Sequence, residues 1–294
     1  MSARGTVARV AAHAKLNLSL RITGRTENGY HALHTLFQLV ALSDSVTVRV
    51  GVHGRALDCD APAAGPAEHN LGWRAAVAFC EATGWDTGFE IAIEKHIPIG
   101  GGMGGGSADA AAVLRALNAL APAPLMPSAL LTLGGQLGAD VPFLLLGHTT
   151  ALGTGTGALL TPLLPLEARA VVLELPGFAV SSKDAFGWFA ADRDGRPYSG
   201  APALLPSPPT WDAVQREAQN DLEAPVFARH PSLVQRREAL EQAGAEIARM
   251  TGSGSTLFGT FSDPAAAKRA VAAAPAARVL TKTVREVAPI EVIA

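Results

Sequence analysis

Along residues 7–23 apolar and polar side chains alternate cleanly. Val10, Ala12, Ala14, Leu16, Leu18, Leu20 and Ile22 fall on one side, and Arg9, His13, Lys15, Asn17, Ser19 and Arg21 on the other. A period of two predicts a half-buried strand. The turn "TENGYH" follows, where Asn28-Gly29 supplies the positive φ of a tight turn. Residues 45–52 and "FEIAIEKHI" (89–97) alternate again, whereas 70–82 and 107–120 carry helical periodicity, the latter with Val113, Leu114, Leu117 and Leu120 on one stripe. Ser128 is placed to N-cap the next helix and Gly138 to end it. Beyond residue 160 a second cycle begins: a strand at 170–175, a helix at 183–191, a Pro-rich loop at 197–209 and helices at 211–227 and 231–243. A strand in "STLFGTF", a helix at 264–274 and a strand near 278–283 complete it. No internal repeat is visible. Antiparallel strands mixed with helices argue for α+β rather than a parallel doubly wound sheet.

Composition narrows the partners. The 294 residues are 48% hydrophobic and 17% charged, which is globular, and the net charge of −2 gives no bulk attraction to nucleic acid or an anionic membrane. No apolar run reaches the length of a membrane span, and the opening "MSARGTVARVAAHAKLNLSL" lacks the apolar core of a signal peptide. Cys59 and Cys80 lack metal-ligand spacing and can form no disulfide framework. The expectation is a soluble protein of a reducing cytoplasm; nothing here sets its oligomeric state.

"KHIPIGGGMGGGSADAAAVLRALNAL", residues 95–120, holds six glycines in the seven positions 100–106, Met103 being the exception. A flexible linker would have polar, structureless flanks. Here a strand leads in and a strong helix former leads out. That context predicts a strand–loop–helix turn whose side-chain-free N–H groups converge, with the positive end of the helix added, which suits a phosphate. No lysine follows the last glycine as a Walker A loop requires, and a further helix stands where a Rossmann unit would place its second parallel strand. Lys95 shares parity with Phe89, Ile91, Ile93 and Ile97, so its stem either snorkels from the strand end or carries its charge to a bound nucleotide.

"PIGGGMGGGSADAA" resembles the phosphate-loop signature P-x-x-x-G-L-G-S-S-A-A of the GHMP kinases, named for galactokinase, homoserine kinase, mevalonate kinase and phosphomevalonate kinase. "AKLNLSLRITGRTENGYHALHTLFQ", "LGADVPF", "QNDLEAPV" and "MTGSGSTLFGTF" extend the likeness over about residues 8–285. Their order and separations resemble the branch that phosphorylates the 2-hydroxyl of a cytidine-diphosphate-linked methylerythritol in the non-mevalonate route to isoprenoid precursors. The resemblance implies a two-domain α+β fold, with residues 1–160 carrying the phosphate loop, 161–294 forming the second domain and a deep substrate cleft between them. It also implies ATP and Mg2+, with only small molecules as partners.

Carried over by position, the resemblance assigns Pro98, Ile99, Gly100, Gly101, Gly102, Met103, Gly104, Gly105, Gly106 and Ser107 to the phosphate loop, with Ala108 next to it, and sets Asn70 and Lys95 near the nucleotide. Lys15 and Asp140 take the catalytic positions. Asn17, Tyr30 and His31 would hold the acceptor, the latter two near its cytosine, with Ser182 and Phe186 matching less closely. No residue is assigned to metal. Three positions depart from the pattern: Ala108 stands for a second serine, Met103 for leucine and Ala158 for an acidic residue. Spacing alone leaves alternatives open. Asp140, between Gly138 and Pro142, fits the N-cap of a short turn as well as a general base, and Asn220 and Asp221 fit helix caps as well as ligand contacts. A kinase for homoserine, mevalonate or a sugar is the nearest rival function, and a nucleotide sensor without chemistry the next.

Overall fold

The alternating run becomes β1 (Val7–Arg25), and the chain returns along it as β2 (His31–Val52). The computed structural model describes residues 6–293 apart from 28, 62–65, 194 and 204. Then come β3 (Arg55–Cys59), α1 (Leu71–Thr83), β4 (Gly88–Glu94), α2 (Gly105–Leu120), α3 (Pro127–Leu137), α4 (Val141–Leu145), β5 (Thr150–Gly155) and β6 (Leu159–Pro162). The second cycle supplies β7 (Ala170–Glu174), α5 (Ser182–Asp192), α6 (Trp211–Glu217), α7 (Glu223–Arg229), α8 (Ser232–Gln242), β8 (Ile247–Met250), β9 (Leu257–Phe261), α9 (Pro264–Ala272), β10 (Arg278–Lys282) and β11 (Glu291–Ile293). The mixed α+β class expected from the pattern is the one observed.

Two sheets organise these elements. The first runs β11-β1-β2-β4-β3, with β5 and β6 added at the far part of β2; the second is β10-β7-β9-β8. All pairs are antiparallel except β3 with β4. The apolar side of β1 packs under α2, where Leu16, Leu18, Val113, Leu114 and Leu117 are all fully buried. A second core gathers β8, β9, α7, α8 and α9, and it takes in Leu20 and Ile22 from the end of β1. The last strand, β11, returns to the edge of the first sheet beside Val7–Arg9.

The polar side of β1 departs from the half-exposed expectation. Lys15, Asn17 and Ser19 are as buried as their apolar neighbours. Gly104 and residues 251–252 cover Lys15 and Asn17, and "QND" continues the cover along the strand: Leu20 N–H donates to Gln219 O at 2.7 Å, Asp221 N–H to Leu20 O at 3.0 Å, and the Asp221 carboxylate accepts from Ile22 N–H at 2.7 Å. This stretch lies along β1, which is also why the helix expected over 211–227 breaks into α6 and α7 around residues 218–222. Other corrections are local. Pro127 starts α3 through its fixed φ, so Met126 is the cap and Ser128 caps nothing. β2 begins fourteen residues before the expected Ser45, because its first half pairs with β1 on one side and β5 on the other and loses its alternation. Gly29 has φ +82° as a tight turn needs, while Asn28 lies outside the described residues.

The second sheet is tied to its helices by charge. Glu174 is buried between Arg278, at 2.5 Å, and Arg236. Removing one member of such a cluster leaves an uncompensated buried guanidinium. Glu174→Ala should therefore lower stability in urea by about 3–5 kcal/mol, and a loss below 1 kcal/mol would contradict that role.

Candidate active site

A cavity of about 670 Å³ opens between the two sheets' helices and loops, and the glycine loop forms much of its wall. α2 starts at Gly105, two residues earlier than its apolar stripe suggests, and no side chain caps it. The first N–H groups of a helix have no intrahelical acceptor, so those of Gly105, Gly106 and Ser107 remain to bind an anion. The N-cap, Gly104, has φ +71°, and a Cβ there would stand 3.2 Å from Lys15 Cε and 3.4 Å from Asp140 Oδ2. Glycine is thus required at 104 both by conformation and by the two side chains that crowd it. At 102 the cause is different. A Cβ on Gly102, φ +78°, would lie 2.3 Å from Thr251 O, and Gly101 O accepts from Thr256 N–H at 3.3 Å. Gly101 and Gly102 are therefore bare where they pack against residues 251–256, while Gly100, Gly101 and Gly102 all still line the cavity.

Lys15 and Asp140 meet at the helix mouth. Lys15 Nζ is 3.2 Å from Asp140 Oδ2, with the lysine buried and the carboxylate side chain 30% exposed. Asp140 is the N-cap residue of α4, yet its carboxylate makes no capping bond and turns to Lys15 instead. The capping alternative fails. Lys15 Nζ also donates to Asn17 Oδ1 at 2.7 Å, Asn17 Nδ2 to Thr35 Oγ1 at 2.8 Å, and Thr35 Oγ1 to Ser19 O at 2.7 Å. Asn17 is therefore committed first to orienting the lysine. The main chain joins in: Lys15 N–H donates to Met103 O at 3.0 Å, which pins β1 to the glycine loop.

Residues 70–148 match the model of the GHMP kinases N terminal domain, and residues 209–279 that of the GHMP kinases C terminal. The 4-diphosphocytidyl-2-C-methyl-D-erythritol kinase of Deinococcus radiodurans is 40% identical over 271 residues, covering 89% of this chain and 87% of its own. The chain belongs to the GHMP kinases. Its likeness to the protein of the same name from Paracoccus denitrificans is 41% over 267 residues, 89% of this chain and 90% of that one. A crystal structure of 4-(cytidine 5'-diphospho)-2C-methyl-D-erythritol kinase, 35% identical, matches with a TM-score of 0.75 and covers 94% of this chain and 98% of its own. Homoserine kinase from Cytophaga hutchinsonii, 19% identical with a TM-score of 0.70, shares the fold. A GHMP kinase takes ATP and a small-molecule acceptor, and no helix among the described residues is long and apolar enough to cross a membrane.

The kinase holds its other expected residues in two groups. Asn70 caps α1, its Oδ1 accepting from Gly72 N–H at 2.8 Å, and lines the cavity. Lys95 lines it too, but its ammonium is held by Asp44 and, at 2.6 Å, by Asp109 Oδ2. Neither carboxylate carries a signal in the sequence, because each looks like an ordinary polar position of a strand or helix. At the far end Phe186 lines the cavity and stacks on His31 at 5.3 Å, with Phe189 edge-on to the same imidazole. Burial, with Arg25 next, holds His31 below its ordinary 6.5. Ser182 Oγ lies 3.1 Å from Ser253 Oγ, joining α5 to the second glycine-rich loop. Tyr30, 67% exposed, stands outside the cavity lining, as does His31 itself. Ala108 points into the core and does not reach the cleft, since its helical position turns it under α2. Asn220, ambiguous in the sequence, clamps the second loop by donating to Met250 O and Gly252 O at 2.6 and 2.9 Å.

Burial sets the electrostatics around Lys95. Desolvation raises Asp109 from 3.8 to about 7 despite Lys95 beside it, and its Oδ1 is buried with no partner among the described residues. Lys95 is pulled down by burial, but Asp109 and Asp44 more than reverse this and hold it charged. An unfolded chain releases the Asp109 proton near 3.8, the folded one near 7, so stability falls as pH rises through that window. Asp109→Asn has nothing to titrate. In urea titrations the stability of the wild type relative to this variant should decline from pH 3.8 to about 7, and a constant difference would contradict the assignment.

Proposed function

We propose that this chain transfers the γ-phosphoryl group of ATP to the 2-hydroxyl of 4-diphosphocytidyl-2-C-methyl-D-erythritol. The observation that carries the reading is the Lys15–Asp140 pair, 3.2 Å apart, set at the uncapped start of α2. Phosphoryl transfer asks a protein for position and charge neutralisation more than for covalent chemistry. The loop from Pro98 to Ser107 and the free N–H groups of α2 suit the β- and γ-phosphates. Asp140 would accept the proton of the attacking hydroxyl, and Lys15, oriented by Asn17, would offset the charge that develops beside it. Asn70 and Lys95 lie on the nucleotide side of this reading.

The acceptor would extend from Asp140 past Asn17 towards Phe186, whose ring, stacked on His31, offers an aromatic platform for cytosine. Tyr30 would close over that base from the rim. Ser182, bonded to Ser253, would border the acceptor's diphosphate side. The Ser107 hydroxyl, in the cavity wall at the start of α2, suits a magnesium ion that arrives on phosphate oxygens, since Mg2+ characteristically needs only one or two protein ligands. Ser107 would lend it a hydroxyl; the ion would neutralise phosphate charge.

The test is ADP release from purified protein given ATP, magnesium and one alcohol at a time: the cytidine-linked methylerythritol, homoserine, mevalonate and a free sugar. Turnover with the first alone supports the reading, and turnover with another acceptor or with none contradicts it. Asp140→Asn should keep nucleotide binding and lower turnover by roughly two orders of magnitude, as loss of a general base does. Undiminished turnover would remove Asp140 from the reaction.

A further inference from the structure

Asp44 lies on β2, 1% exposed, and does not line the cavity. Its carboxylate nevertheless holds three consecutive residues. Oδ1 accepts from His96 N–H at 2.5 Å and from Ile97 N–H at 2.7 Å, and Oδ2 pairs with the Lys95 ammonium. Those residues are the whole connection between the end of β4 and Pro98, where the glycine loop begins. The same ammonium crosses to Asp109 Oδ2 at 2.6 Å, on the second turn of α2 and just beyond the loop's other end. So the lysine spans the two ends of the loop, and Asp44 fixes that span to the central strand of the sheet.

From this geometry we infer that Asp44 is a positioning residue for nucleotide binding: it acts through the 95–97 main chain and Lys95 to hold the entry and exit of the phosphate loop at a fixed separation. The inference rests on the kinase reading above. A glycine-rich loop has no side chains of its own with which to hold a shape, and it tolerates many conformations. Convergent N–H groups bind phosphate well only when that freedom has been removed beforehand. The loop's first half is held by packing against residues 251–256, and its last residues by α2. What remains to be fixed is the direction from which the chain enters, and Asp44 supplies it at His96 and Ile97, with Asp60 Oδ1 accepting from Lys95 N–H at 2.8 Å just before. Its Oδ1 takes two amide donors that would otherwise be buried without partners, and Oδ2 aims the lysine. A merely structural carboxylate would matter for folding and leave the two substrates equally affected. A positioning one acts on the nucleotide alone.

The experiment uses the full chain and measures KM for ATP, KM for the acceptor, kcat and the thermal midpoint. Asp44→Asn keeps an oxygen for the two amides and leaves Lys95 paired to Asp109, whereas Asp44→Ala removes all three contacts. Asp44→Asn should raise KM for ATP roughly tenfold, with the acceptor KM changed less than about twofold and kcat at saturating ATP falling far less than ATP affinity. Asp44→Ala should raise KM for ATP further, so that asparagine counts as a partial rescue. Asp109→Asn, which frees the other end of the lysine, should show the same selectivity and keeps the test intact if an Asp44 variant does not fold. Unchanged ATP KM with a lowered midpoint, or a parallel rise in both KM values, would overturn the inference. A wild-type protein that releases no ADP with any acceptor would instead sink the kinase reading and leave these contacts unexplained.

Discussion

The site is organised around a buried ammonium that no single element can satisfy. Lys15 sits in the middle of β1, on the side that alternation would have left to solvent, and its charge is shared between Asp140 at the head of α4 and Asn17 two residues along its own strand. Its main-chain N–H is donated to Met103 in the glycine loop. One residue thus binds sheet, loop and short helix into a fixed relation. Losing a partner would strand a buried charge, a cost of about 3–5 kcal/mol. That penalty holds the Asp140 carboxylate beside the uncapped start of α2.

Around this centre two glycine-rich segments interlock. Gly101 and Gly102 make backbone contact with Thr251 and Thr256, and Asn17 N–H donates to Thr251 Oγ1 at 3.1 Å. The second segment is in turn fixed by Asn220, and through "QND" by β1 itself. The circuit runs from β1 to the glycine loop, to residues 251–256, to Asn220 and back to β1. Each link joins residues far apart in sequence, so the cleft cannot form before both halves of the chain have folded.

This explains what could be read from the sequence. The alternation of β1, the stripe of α2 and the glycine run between a strand and a helix are local signals, and they locate the strand–loop–helix turn that ends at Gly105. The lysine and aspartate followed from motif resemblance rather than from periodicity, because parity describes Lys15 and Asn17 as a solvated face. β2 loses its alternation where it is buried on both sides, and Ser128 mimics a cap although Pro127 already starts its helix. Asp44 and Asp109 were silent. A carboxylate that turns away from the cavity to hold a turn, or one that sits unpaired on one oxygen under a helix, differs from its neighbours only by tertiary burial. The glycine run carries a mixed signal, since Gly102 is bare for the sake of protein backbone and Gly104 for a positive φ beside Lys15 and Asp140.

The central claim is that backbone between Gly104 and Ser107 holds the terminal phosphates of ATP while Asp140, steadied by Lys15, faces the acceptor hydroxyl. The most direct measurement is a crystal structure with a slowly hydrolysed ATP analogue, magnesium and the cytidine-linked acceptor bound together. The account predicts the γ-phosphate at the start of α2 and the Asp140 carboxylate about 2.6–3.2 Å from the acceptor 2-hydroxyl, or one water away. A triphosphate lying elsewhere, or an Asp140 carboxylate turned away from that hydroxyl in the closed complex, would contradict it.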